Sequence, residues 1–269
     1  MIAFYNHFAF EFKTGLRNSN NLMMNYLFPL GFYAMMGLVM TRIFPGFDQV
    51  LIPAMVVFAT MASSLLGLPG PQVELREAGV FRSYKINGVP AISILIIPVL
   101  TTIFHTLIVS SIIALSARPL FGGVAPLHIV PFILITLLAA FNFSAISALI
   151  GVISTNSRAT VLWSQLIFLP SMLIGGMMVP ISMLPEGIQP LTALLPSSHA
   201  MQAFLGLAYG QPTSFNTTVS IAVLAISLLL AFGLAIHLFN WDTKNKTRRG
   251  HPLMALLVLI PYIVSTFLV

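Results

Sequence analysis

The chain has 269 residues, 58% of them hydrophobic and only 7% charged, where an ordinary soluble domain is about a quarter charged. No core of this size hides so much apolar surface and still leaves a wetted exterior, so a soluble globule is excluded. The net charge of +6 does not point to nucleic acid, because the basic residues stand singly at the ends of apolar runs and not on one face.

Several runs reach the roughly 20 apolar residues that a helix needs to cross a bilayer. The short alternating strands of a membrane barrel are missing. An all-α polytopic membrane protein is expected, built as one domain over residues 1–269. The absence of cysteine removes disulfides, Cys-ligated zinc and thiol chemistry. No short apolar core with a cleavage site opens the chain, so no removable signal peptide is expected.

Residues 1–18, "MIAFYNHFAFEFKTGLRN", read as a helix lying on a surface. Ile2, Tyr5, Phe8, Ala9, Phe12 and Leu16 share one face at three- and four-residue spacing, with Asn6, Lys13, Thr14, Arg17 and Asn18 opposite and Phe10 as the exception. Aromatic and basic faces suit the headgroup boundary; a helix packed on protein fits the same pattern. Candidate spans follow at 26–44, 50–68, 90–116, 127–153, 159–179, 217–240 and 252–269. With the N-terminus in the cytoplasm, the inner segments carry Lys13, Arg17, Arg76, Arg82, Lys85, Arg158, Lys244, Lys246, Arg248 and Arg249. The outer loops keep only Arg42 and Arg118, and this bias sets the orientation.

Between the second and third spans lies the charged stretch "PQVELREAGVFRSYKINGVP", residues 71–90. Pro69 and Pro71 can introduce a helix and Asn87-Gly88-Pro90 can stop it, so a cytoplasmic helix is expected over 73–86. Glu74 and Glu77 first, with Arg82 and Lys85 last, would complement its dipole by about 0.3–1 kcal/mol each. Phe81 and Tyr84 add aromatic surface, so the segment offers anchors as well as charges to a partner. It also reads as a plain solvated connector. Residues 180–216 are apolar yet punctuated by five prolines, which forbids one continuous helix and points to re-entrant or interfacial pieces on the outer side.

The order of these pieces resembles the membrane subunit of a type-2 ABC transporter, the export-permease family that includes drug-efflux permeases. The resemblance rests on "FPLGFYAMMG" at 28–37, "ELREAGVFRSYKINGVP" at 74–90 and "GGMMVPISMLPEGIQPLTALLPSSHAMQAFLGL" at 175–207, behind the surface helix. It implies a six-span core over 26–240, an interfacial connecting helix over 1–20, a coupling helix at 74–86 and an outer re-entrant element at 180–216. Glu74, Arg76, Glu77, Phe81, Arg82, Tyr84 and Lys85 would then meet a cytoplasmic ATPase, and "STNSR" at 154–158, with Arg158, would make a smaller second contact. A second permease half, identical or not, would complete the transporter in the cytoplasmic membrane. The departure is "HPLMALLVLIPYIVSTFLV" at 251–269, a seventh apolar run beyond the family's six.

No Gly-rich loop ending in Gly-Lys-Ser/Thr occurs, so ATP and magnesium would be bound by the partner chain and no cofactor by this one. Thr60, Ser63 and Ser64 beside Phe58 and Met61 in the second span, and Trp163, Ser164, Gln165 and Phe168 in the fifth, would suit a path for an amphipathic cargo. Small polar residues gluing helices together explain them equally well. No Asp, Glu, Lys or Arg lies deep in a span, which counts against the alternative of an ion-coupled carrier working without an ATPase. A third reading, an intramembrane enzyme using His105 or His199, lacks a carboxylate or nucleophile close in sequence.

Overall fold

A backbone in lipid must satisfy its own polar groups, and helices do so within one segment; every regular element among the described residues is helical. The computed structural model describes residues 2–242 and 250–268. The basic residues of 244–249 lie outside the described residues, as do the side chains of residues 2–7, 10 and 16.

The elements are α1 (Ile2–Arg17), α2 (Ser19–Ile43), α3 (Phe47–Glu77), α4 (Val80–Ile86), α5 (Ala91–Phe121), α6 (Ile129–Ile153), α7 (Ser157–Ile174), α8 (Pro196–Ala203), α9 (Thr217–Leu238) and α10 (Pro252–Ser265). Five of them, α2, α3, α5, α6 and α9, are long and apolar enough to cross a membrane. At 18 residues α7 is shorter, starts on Ser157-Arg158 and carries Ser164 and Gln165. The expected seventh run is shorter still: α10 is a 3-10 helix over Pro252–Leu259 that becomes α-helical over Ile260–Ser265.

α3 is the central element. Leu51, Ile52, Met55, Phe58, Met61 and Leu65 are all fully buried, as befits a helix that is apolar all round. α2, α5, α6, α7 and α8 pack about it, and α6 pairs closely with α9.

The helix expected over 73–86 is divided. α3 does not stop at residue 68; it continues to Glu77 through a π-turn at Ser63–Gly67. That turn shifts the hydrogen-bond frame just ahead of Pro69 and Pro71, so their missing N–H groups fall in the first turn of a new register, where donors have no intrahelical partner anyway. Gly79, with φ +76°, then ends α3 and starts α4. The left-handed conformation is one that glycine adopts freely. Glu74 and Glu77 therefore sit in the last turns of one helix and not the first turn of another, so the expected dipole benefit does not apply to them.

α1 packs on α5. The Phe12 ring stacks on His105 at 4.9 Å and meets Phe104 edge-on at 5.3 Å, while Lys13, Thr14 and Arg17 are exposed. The proline-rich stretch forms short pieces at Ile181–Met183 and Gln189–Thr192 before α8, which starts on Pro196 and ends in a π-turn at Phe204–Ala208. α8 is buried against α9, α3, α7 and α6. The His128 N–H in the α5–α6 loop donates to Ala208 O at 3.0 Å, which places this element at the end of the bundle opposite α4.

Candidate coupling site

Charge collects at one end of the bundle, where α3, α4 and the α6–α7 turn come together. Arg76 is on α3 and, at 6% exposure, is the one buried Arg, Lys, Asp or Glu among the described residues. Its guanidinium donates to Val152 O at 2.9 Å and also to Ser154 O. Both carbonyls belong to the end of α6, which would otherwise keep them unpaired. Pro69, Gln72, Val73 and Arg76 share this buried face, and Gly151 leaves the space that Gln72 fills against α6.

α4 is tied elsewhere. Phe81 is buried and packs on Phe239 at 6.0 Å and on Tyr84 at 6.4 Å. Arg82 forms an ion pair with Asp242, just past α9. Ser157 Oγ donates to Glu77 Oε2 at 3.4 Å. The short charged segments thus bridge the ends of α3, α6, α7 and α9.

The eight residues singled out from the sequence separate into two groups. Glu74, Glu77, Arg82, Lys85 and Arg158 are exposed. Arg76 and Phe81 are buried, so they brace the platform and do not form its outer surface. Tyr84 lies between, half-buried, with its hydroxyl pKa pushed up by burial and by the nearby Glu11 carboxylate.

The residues proposed for a path converge in part. Phe58 stacks on Phe32 at 3.9 Å and lies 5.9 Å from Phe168, with Phe28 touching both. Ser64 Oγ lies 3.1 Å from Ser144 Oγ, a helix-to-helix contact. Met61, Ser63 and Ser164 are buried, and the Ser63 and Ser164 hydroxyls and Gln165 Oε1 find no partner among the described residues. Phe28, Phe32, Phe58 and Phe168 form an aromatic seam between α2, α3 and α7.

His105 and His199 are both held by neighbours. His105 Nδ1 lies 2.6 Å from Tyr26 Oη. His199 Nε2 lies 2.8 Å from Ala193 O and 3.2 Å from Ser265 Oγ, and its Nδ1 lies 3.2 Å from Ser220 Oγ. Among the described residues no cluster of three or more His, Asp or Glu could hold a metal ion.

Two residues not singled out from the sequence prove central, Asn142 on α6 and Tyr262 on α10. Asn142 Nδ2 donates to Leu224 O at 2.9 Å and to Tyr262 Oη at 3.3 Å, and the Tyr262 hydroxyl donates to Ser227 Oγ at 2.8 Å. A lone amide inside "LLAAFNFSAIS" was the available signal, since a polar group in an apolar run needs a partner.

Burial raises the Glu11 carboxyl above its ordinary pKa of 4.5. The folded protein therefore holds that proton more tightly than the unfolded chain. The stability this contributes is present below 4.5 and lost as pH rises through the raised value. Glu11→Gln should match the parent's melting midpoint in acid and exceed it progressively toward neutral pH in a choline chloride buffer. A constant offset across that range would show that Glu11 does not titrate abnormally.

The family model described as ABC-2 family transporter protein matches residues 5–237. Over 226 residues the chain is 25% identical to "Putative transport permease YvfS" of Bacillus subtilis (strain 168), an alignment covering 82% of this chain and 92% of that one. No solved structure matches.

Proposed function

This chain belongs to the ABC-2 transporter family, and on that premise we propose that it is the permease half of an ATP-driven exporter, moving an amphipathic or hydrophobic cargo out across the cytoplasmic membrane. The observation that carries this reading is the exposed quartet Glu74, Glu77, Arg82 and Lys85 on a platform that Arg76 and Phe81 fasten to the ends of α6 and α9. Charges at the surface select and steer a partner; the buried braces pass its motion to the spans. A conformational change needs contacts that differ between states, and α4, which meets the bundle through the Phe81 aromatic cluster and the Arg82–Asp242 ion pair, is where they would differ. Two such permeases would face each other above two ATPase subunits, with α1 on the inner membrane surface and α8 at the outer end. ATP and magnesium would bind the partner, not this chain.

The test is charge reversal at Glu77→Lys and Arg82→Glu. The Arg82–Asp242 pair lies at the surface, with the Arg82 side chain 58% exposed, and surface pairs contribute about 0–1 kcal/mol, so both variants should insert and fold. Each should weaken ATPase association by roughly tenfold or more and reduce transport in step. If ATPase copurification and transport survive both reversals unchanged, the docking assignment is wrong.

A further inference from the structure

A groove of about 300 Å³ lies between α7 and α10, with α6 as its floor. Every residue lining it is apolar or aromatic. Ile146, Leu149 and Ile150 of α6 form the buried floor, and Trp163 and Leu166 of α7 stand exposed on one side. The other side owes its shape to the 3-10 winding of Pro252–Leu259. Three residues per turn set side chains i and i+3 in straight rows. Leu253, Leu256 and Leu259 therefore make one row along the groove, and Pro252, the small Ala255 and Val258 make the next.

The groove has a direction. Ile153 and Pro252 also line a polar cavity of about 160 Å³ beside Arg76, Asn240 and Asp242, at the charged end of the bundle. From Ile153 back to Ile146 the groove follows α6 for about 10 Å, at about 1.5 Å per residue. Leu194, Leu195 and Pro196 line its other end, next to Ala193, whose carbonyl accepts from Ser265 Oγ at the far end of α10. It stops within the roughly 15 Å of one leaflet, so a partner's helix crossing the whole bilayer does not fit along it. Water does not fill it either, since a buried water needs about 2–4 polar partners.

We propose that this groove seats one acyl chain of a phospholipid from the leaflet on the platform side, with the headgroup at the polar cavity. A chain leaving bulk lipid gains no hydrophobic free energy, because lipid tails are as apolar as Leu. What it gains is dispersion contact with a floor and two walls, which a void forfeits. α7 packs on α3, α6 and α8, while α10 packs on α9 and α6; the seated chain links the two across the gap. Such a site goes beyond the transport reading and does not depend on it.

Trp163 provides the readout. The chain has two tryptophans, and Trp241→Phe leaves Trp163, on the wall of the groove, as the sole emitter. The purified full chain carrying Trp241→Phe is titrated in detergent with phosphatidylcholine brominated at mid-chain, whose bromines quench indole on contact, with the unbrominated lipid as control. Emission should fall along a saturating curve that is half complete while the lipid is still a minor part of the micelle. Ala255→Phe, which fills the groove, should raise the half-saturating lipid concentration by about tenfold. Leu257→Phe, in the row of α10 that does not line the groove, should leave it unchanged. The shape of the Trp241→Phe curve decides the outcome even if Ala255→Phe does not fold. Quenching strictly proportional to the brominated fraction of the micelle overturns the site, as does quenching that Ala255→Phe leaves unchanged, or no quenching because a second copy covers Trp163.

Discussion

Arg76→Ala should be the most damaging single change at the charged end of the bundle: transport falls to background and the melting midpoint drops by on the order of 10 °C. The substitution leaves Val152 O and Ser154 O without the donor that now reaches both. Each abandoned buried carbonyl costs about 1–3 kcal/mol, so the loss is about 2–6 kcal/mol before any cavity is counted. Arg76→Lys should recover part of this, because the charge remains but one ammonium cannot fork to two carbonyls as a planar guanidinium does. Arg76→Met preserves volume without donors and should resemble Ala. Membrane-reconstituted transport together with thermal unfolding of the same preparations checks the prediction. Parent-like values for Arg76→Ala in both would show that α3 is not braced on α6 through this side chain. A fall in transport alone would place Arg76 in partner contact instead of internal support.

The contrast between Arg76 and its neighbours shows what the sequence could and could not reveal. Charge, proline and glycine located the platform within a few residues, because a wet segment between two dry runs has one place to go. They did not show which of five close-set charges points inward. That depends on helical phase, and the phase was hidden by treating residues 73–86 as one helix. Once α3 is seen to continue from Phe47, Pro69, Gln72, Val73 and Arg76 fall three and four residues apart on the face that meets α6. The spans themselves were readable for the same reason in reverse. Membrane helices announce themselves by length and apolarity, so α2, α3, α5, α6 and α9 agree with the expected runs apart from their ends. α7 is harder to recognise, because Ser157, Arg158, Ser164 and Gln165 dilute its apolarity. The network of Asn142, Ser227 and Tyr262 had only the faintest sequence signal, because its members come from three separate helices and only packing brings them together.

The second large effect is expected at Tyr262, outside the residues that the family match covers. Tyr262→Ala should destabilise the protein by about 3–5 kcal/mol, the usual range for removing a large buried aromatic ring. Its ring is 1% exposed and lies 5.7 Å from that of His199. Tyr262→Phe isolates the hydroxyl and should cost about 1–3 kcal/mol, since Ser227 Oγ and the Asn142 amide lose a partner inside an apolar bundle. Combining Tyr262→Phe with Asn142→Leu should cost less than the sum of the two, because each already removes part of the same network. Thermal unfolding of the four proteins measures that coupling. Strict additivity would mean that the hydroxyl and the amide do not interact, and α10 would then be held by ring packing alone. The position of the network gives the result a functional edge. Ser265, on the same helix, lies 3.2 Å from His199 Nε2 at the heart of α8, and its hydroxyl also donates to Ala193 O at 3.3 Å. A helix that grips both the middle of α6 and the buried face of α8 restrains the end of the bundle opposite the charged platform. Loosening it with Tyr262→Phe should therefore alter transport even at temperatures where the fold is intact, whereas a purely structural tail would leave transport unchanged until the protein begins to melt.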